Sequence, residues 1–221
     1  GKYTILELLI NQIKKSKNIS DIILAISENP GNQVFIDFAK KHHLKFIIGN
    51  EKDMLARLIK GAKLVNADIV FRVTTENPYL YWEGIDDSIE QHIKQNYDFS
   101  MIDPIPAGSG FHIINTKALE ISHVKGSSRH RSEHCDLYIN ENKDKFKIHV
   151  FKPEKILQRS DIRLTVDTPQ DLILVREIFN SIIRTKKPIQ LKKIIKFLDK
   201  NPKLLKINST IPTVKKGSAW I

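Results

Sequence analysis

Arg163-Leu164-Thr165-Val166-Asp167-Thr168-Pro169-Gln170-Asp171-Leu172 is the stretch around which the chain is organised. Leu164 to Val166 is a short, β-branched run that reads as a strand, and Thr168 is a natural N-cap. Pro169 suits the first helical position, Asp171 adds negative charge to the first turn, and Leu172, Ile173, Val175, Ile178 and Phe179 keep one helix face apolar. Asp167 is thereby expected at the carboxyl end of a strand, just before a helix. In an open α/β sheet that edge is where ligands bind. A carboxylate fixed there can hold a Mg²⁺ ion accompanying nucleotide phosphates, or it can simply support the turn.

Working outward, the same alternation recurs. An amphipathic helix near Leu6 to Lys17 precedes an apolar strand, Asp21 to Ser27, broken by Pro30-Gly31. A helix begins at Val34, and Leu44 to Ile48 forms a second buried strand. Met54, Leu55, Leu58 and Ile59 mark another helix, and Ala67 to Thr74 a third strand. Continuous apolar strands alternating with helices predict right-handed crossovers and a mainly parallel, mixed α/β sheet. Further on, the pattern predicts a helix over Ile85 to Ile93, strands over Tyr97 to Met101 and Phe146 to Phe151, and a Pro/Gly-rich loop from Asp103 to Gly110.

The chain has 221 residues, 41% of them hydrophobic and 28% charged, the makeup of an ordinary globular protein. No apolar run reaches the ~20 residues of a membrane span and no signal peptide opens the chain, so the reading is cytoplasmic with no membrane partner. The single cysteine, Cys135, excludes an internal disulfide and a cysteine-rich zinc site. A buried thiol is the favoured reading over a nucleophile paired with His134.

Net charge is +11 and is concentrated in residues 184–221, where eleven Lys or Arg face one acid, Asp199. The expected organisation is a body over residues 1–183 and a basic helical extension over residues 184–221. Leu191, Ile194, Ile195 and Leu198 form an apolar stripe there, so the extension is read as docked on the body rather than as a nucleic-acid arm. A short helix through Leu204 and Leu205 and an extended end from Pro212 to Ile221 follow. Trp220 can pack on the body or on a second copy of the chain, which leaves a homodimer as one reading.

The opening stretch also resembles the closing signature R-x-T-V-D-T-P-x-D-L of the cytidylyltransferase family that includes the spore coat polysaccharide biosynthesis protein F group. That group is related to the acylneuraminate and manno-octulosonate cytidylyltransferases. The resemblance implies a three-layer, Rossmann-like nucleotidyltransferase fold. It further implies that a nucleoside triphosphate, CTP above all, activates a sugar to give a nucleotide-sugar and pyrophosphate for surface polysaccharide or glycan synthesis. The family's opening strand and its loop, A-R-x-x-S-x-R-L-P-G-K, have no match here. Gly1 to Glu7 resembles instead the later G-K-P-L-L-E element. On that reading the triphosphate loop is missing, and this chain has little activity without it.

The resemblance carries over residue by residue. Glu76, in Thr74-Thr75-Glu76-Asn77-Pro78, stands where the family has the Asp of G-D-x-P, its other metal ligand, so Glu76 and Asp167 become the expected Mg²⁺ ligands and catalytic acids. Capping the next helix is the alternative for Glu76. Ser27 matches the A-T-S turn near the nucleotide, and Arg57 matches the arginine of G-x-x-x-D-V-L-x-R. Arg72 joins them as a nucleotide-binding candidate, because a strand interior seldom tolerates an unpaired charge. Gly108 and His112 are expected around the sugar. Gly110 and His112 stand where the family often has acids, which makes an anionic sugar easier to accept. Glu133 and His134 match the E-H of R-E-H-V-T-P-Y-I, with Ser132 in place of its arginine, and are expected to bind substrate or support its pocket, on a helix expected to open near Arg129 and to carry Cys135 and Tyr138. A nucleic-acid-binding module and a glycosyltransferase using a nucleotide-sugar are the competing readings; the latter lacks a D-x-D after a strand.

Overall fold

The computed structural model describes residues 3–211. Gly1, Lys2 and the end from Pro212 to Ile221, including Trp220, lie outside the described residues. Thr4 starts the first helix with a capping box: its hydroxyl accepts from the Glu7 N–H at 3.1 Å, while the Glu7 carboxylate accepts from the Thr4 N–H at 2.8 Å. That helix, α1 (Ile5–Ile13), is shorter than expected. The lysine-rich residues after Ile13 offer nothing apolar to hold another turn.

Strand β1 (Ile23–Ser27), helix α2 (Gln33–Lys41), strand β2 (Lys45–Gly49), helix α3 (Met54–Leu64) and strand β3 (Ile69–Arg72) follow in the expected alternation. Next come α4 (Ile85–Lys94), β4 (Phe99–Ile102), β5 (His112–Asn115), α5 (Thr116–Lys125), α6 (Leu137–Glu141) and β6 (Ile148–Phe151). The chain closes with α7 (Pro169–Ile178), a wider helical turn over Phe179–Ile183, α8 (Leu191–Lys200) and α9 (Pro202–Leu205). No described helix is long and apolar enough to cross a membrane.

The strands form two ladders. β1 and β2 pair in parallel, with Ile23 opposite Lys45 and Ser27 opposite Gly49. The other four lie in the order β3-β5-β4-β6, with β5 antiparallel to both neighbours and β4 parallel to β6. β5 and α5 were not foreseen. Four residues are too few to show a period, and α5 has almost no apolar stripe to betray it.

Three local expectations are corrected. Leu164 to Val166 is extended but belongs to neither ladder: Arg163 makes a lone bridge to Ala107, and the Leu164 and Thr165 N–H groups both donate to the Ala107 carbonyl, at 2.7 and 3.1 Å. The segment from Arg129 to His134 opens no long helix. Ser128–Arg131 is a short 3₁₀ turn, and the helix behind it spans only Leu137–Glu141, with Cys135 ahead of it. Glu76 caps nothing, because the next α-helix waits until Ile85.

The basic extension shares the main core. Leu191, Ile194, Ile195 and Leu198 are buried with Leu164, Leu174 and Ile178 in one apolar cluster. Each fully buried aliphatic side chain contributes roughly 1.5–3 kcal/mol, which fixes α8 against the body and turns its lysines to water. Side chains from the body secure the segment ahead of it: the Trp82 indole donates to the Ile189 carbonyl at 3.0 Å, and Glu83 accepts from the Leu191 N–H at 2.9 Å. With its apolar face committed, the extension should not retain duplex DNA at physiological ionic strength. Salt-dependent, sequence-independent DNA binding that persists at physiological ionic strength would contradict this assignment.

Candidate active site

The signature stretch is held by its own charges. Asp171 is buried at the first turn of α7, where its carboxylate accepts from Arg163 Nε at 3.0 Å, from the N–H of Asp167 at 3.2 Å and from the N–H of Thr168 at 3.1 Å. Asn208, beyond α9, donates to the same carboxylate at 2.8 Å and to the Arg163 carbonyl at 3.1 Å. Burial opposes the charge on Asp171, but the Arg163 guanidinium, Asn208 and Thr168 outweigh it and hold the carboxyl down at about 2. Asp171 is therefore the ionic centre that fixes the turn and ties the chain's last described residues to it.

Asp167 emerges from this turn half-exposed, with one carboxylate oxygen paired to Arg163. The Val166 N–H donates to the Glu76 carbonyl at 3.2 Å, so the two acid-bearing segments run side by side. Asn77, next to Glu76, donates to the Thr74 hydroxyl at 2.7 Å, while its Oδ1 is buried without a hydrogen-bond partner.

Gly108 serves this junction through its backbone. Its φ is +87°, and a Cβ there would lie 2.5 Å from the Thr165 nitrogen and 2.7 Å from its Cα. Gly108 thus lets the Asp103–Gly110 loop press on the signature stretch, and no contact to a sugar is needed to explain it. Gly108→Ala should cost roughly 1–3 kcal/mol from the positive φ, with more from the clash. A denaturation midpoint equal to that of the unaltered protein would refute the close approach.

The other candidates divide. Ser27, Arg57, Arg72, Glu76 and Glu133 all line one groove of about 730 Å³ that runs between β1 and β3. The Ser27 hydroxyl contacts Asn32 Nδ2 at 2.6 Å at the carboxyl end of β1. Arg57 is turned back on its own loop: it donates to the Asn50 carbonyl and, at 2.9 Å, to that of Glu51, so it staples the β2–α3 connection rather than reaching for phosphate. Arg72 donates to the Glu133 carbonyl at 3.2 Å, and its Nε is buried without a partner. Glu133 is exposed, with His134 3.7 Å from it.

His112 is not a pocket residue. It sits in β5 opposite Arg72 and beside Met101, packs edge-on to Phe99 and is buried. Burial, helped by the Arg72 charge, pushes its pKa well below the ordinary histidine value, so it stays neutral at pH 7. The anionic-sugar argument drawn from His112 therefore loses its footing. Its neighbours Cys135 and Asp136 are buried as well, with burial raising the thiol to about 11 and the carboxyl to about 6. A thiol so protonated is no nucleophile at neutral pH.

The described strands form two ladders among the helices, and Ser27, Arg72 and Glu76 line the groove between them. The chain belongs to the cytidylyltransferase family, whose profile matches residues 1–211. An uncharacterised protein of Methanocaldococcus jannaschii is 33% identical over 214 residues, covering 96% of this chain and 86% of that one. The spore coat polysaccharide biosynthesis protein SpsF of Bacillus subtilis is 22% identical over 207 residues, covering 91% and 86%. A cytidylyltransferase structure from Leptospira borgpetersenii superposes with a TM-score of 0.86 at 22% identity, covering 97% of this chain and 89% of that one. The three-layer nucleotidyltransferase fold expected from the signature is thus the fold observed.

Proposed function

We propose that this protein transfers a cytidylyl group from CTP to a sugar, giving a nucleotide-sugar and pyrophosphate for surface polysaccharide or glycan synthesis. What supports the reading is the backbone hydrogen bond from Val166 to Glu76, a lining residue of the groove that also holds Arg72 and Ser27, which brings the Asp167 segment alongside Glu76. The donor set suits a hard cation, since the Glu76 and Asp167 carboxylates are both oxygen ligands. Mg²⁺ held by Glu76 and Asp167 would neutralise charge on the phosphate oxygens.

The sugar oxygen attacks the α-phosphorus in line, the α–β phosphoanhydride bond breaks, and pyrophosphate leaves with the electron pair. An acceptor attacking through an already ionised phosphate oxygen needs no general base, whereas a hydroxyl acceptor gives up its proton to solvent as the new P–O bond forms. Arg72 supplies positive charge from a rigid strand end, and Arg163 orients Asp167.

The test is pyrophosphate release from CTP and Mg²⁺ against a panel of sugar phosphates and sugar acids, with ATP, GTP and UTP in place of CTP. The assay uses the chain with the family's strand and phosphate loop joined ahead of Gly1. Release that is sugar-dependent and favours CTP is expected; release indifferent to the base would remove the cytidylyl assignment. Isothermal titration with CTP and Mg²⁺ is expected to give weak binding to the 221-residue chain and tight binding once the loop is joined. Equal tight binding by both would place the triphosphate site within the residues already present.

A further inference from the structure

Three side chains of different ligand chemistry meet away from the Glu76 and Asp167 carboxylates. His112 comes from β5, and Cys135 and Asp136 come from the segment that enters α6. One ring nitrogen, the sulfur and one carboxylate oxygen all lie within 4.8 Å of one another, and the three residues are 6%, 0% and 1% exposed. Cys135 is enclosed by apolar neighbours that include Phe99, Leu119 and Ile139.

Asp136 is the member that ordinary packing explains least. It stands at the N-cap of α6, where a carboxylate usually accepts from the helix backbone, yet it makes no capping bond. It is buried instead, and the Asn140 amide donates to its Oδ2 at 2.6 Å. A carboxylate taken out of water needs compensating positive charge. Arg72, opposite His112 across the ladder, acts on Asp136 through space, while its guanidinium donates to the Glu133 carbonyl at 3.2 Å.

We propose that His112, Cys135 and Asp136 bind one Zn²⁺, at a site separate from the Mg²⁺ site of Glu76 and Asp167. Imidazole nitrogen, thiolate sulfur and carboxylate oxygen are the three ligand types that zinc accepts together, whereas Mg²⁺ takes oxygen alone. Zinc bonds of about 2.0–2.3 Å hold tetrahedral ligand atoms roughly 3.5 Å apart, so side-chain shifts of about 1 Å close the cluster. As the S–Zn bond forms, the Cys135 thiol gives its proton to solvent. Thiolate and carboxylate then balance the dication, and Arg72 faces a neutral centre rather than a second cation. A water fills the fourth position, and Asn140 orients the ligating carboxylate. The ion ties the segment entering α6 to β5, and so steadies Glu133 and His134 immediately ahead of it.

Cys135 is the sole cysteine of the chain, which makes the test specific. Co²⁺ is the probe: its bond to a thiolate gives a charge-transfer band in the near ultraviolet that carboxylates and histidines alone do not. The 221-residue chain is stripped with chelator and titrated with Co²⁺, and a second sample is refolded from urea in the presence of Co²⁺ so that burial does not bar entry. The band is expected to saturate at one Co²⁺ per chain, to be lost on adding Zn²⁺ and to persist in excess Mg²⁺. Asp136→Asn and His112→Asn should each raise the Co²⁺ concentration for half-saturation about tenfold or more, since even outer-shell partners of a metal ligand matter that much. Glu76→Gln should leave the titration unchanged. Absence of the band by both routes would overturn the proposal, as would a half-saturation point that Asp136→Asn does not move. If His112→Asn fails to fold, Asp136→Asn, which keeps the side chain's shape, decides alone. The readout is absorbance rather than turnover, so a negative result leaves the nucleotidyl-transfer reading standing.

Discussion

Asp171→Ala should lower the unfolding free energy by roughly 3–5 kcal/mol, since it leaves the buried Arg163 guanidinium with only the half-exposed Asp167 and takes the acceptor from Asn208 and from the Asp167 and Thr168 N–H groups. That is a large share of a stability of roughly 5–15 kcal/mol, so the variant is expected to be partly unfolded at 37 °C. The loss exceeds that of an ordinary surface acid because three segments converge on this carboxylate: Arg163, the α7 N-terminus at Thr168, and Asn208 of the extension. Asp171→Asn keeps the size and should cost less, although its amide cannot accept the whole set of donors. Urea titration of both variants measures the difference; a loss below about 1 kcal/mol for the alanine would show that the cluster is replaceable.

The same carboxyl sets an acid limit. Its folded pKa of about 2 lies below the 3.8 of the free side chain, so its ionised form favours the folded state. The stabilisation is complete above pH 4 and fades as pH falls toward 2, amounting to roughly 2 kcal/mol from a shift of this size. Stability measured from pH 5 to pH 2 should therefore fall more steeply in the unaltered protein than in Asp171→Asn.

The legible and illegible parts of the chain differ in physical kind. The N-terminal alternation was readable because β1 and β2 are continuous apolar runs and because α1 and α3 each carry an apolar face at helical spacing. β5 escaped because Phe111, Ile113 and Ile114 follow a Pro/Gly loop without the length that separates a strand from a turn. Leu164 to Val166 carries strand propensity, yet its hydrogen bonds go to Ala107 and Glu76, two loop carbonyls that only the tertiary fold brings there. The candidate site shows the same limit. The Glu76 and Asp167 segments were placed by motif, whereas the pairing of Arg72 with His112 across β3 and β5 depends on a register no local pattern encodes. Asp171 was read as a first-turn charge. Its reach to Asn208 had no sequence signal, because the two residues are linked only by the docking of the extension.

Asp167→Asn should reduce pyrophosphate release by orders of magnitude while leaving the fold nearly unchanged. The site residue is half-exposed, and Arg163 retains Asp171 when Asp167 loses its charge, so no buried cation is stranded. The unfolding midpoint in the absence of metal is expected to hold, the opposite of the Asp171 result four residues along the same turn. Glu76→Asp separates the possibilities more finely. It keeps the charge and shortens the arm by about one carbon–carbon bond, ~1.5 Å, restoring the residue type that the family signature carries at this position. If Glu76 holds the cation with Asp167, activity should survive the aspartate and disappear with Glu76→Gln, and the magnesium concentration needed for half-maximal rate should shift. Both assays use the chain carrying the joined strand and loop, with folding checked by the denaturation midpoint. A folded Asp167→Asn that kept full activity across a magnesium titration would remove the two-carboxylate arrangement from the mechanism, because a neutral amide cannot supply the second charge that holds a hard cation against the phosphates.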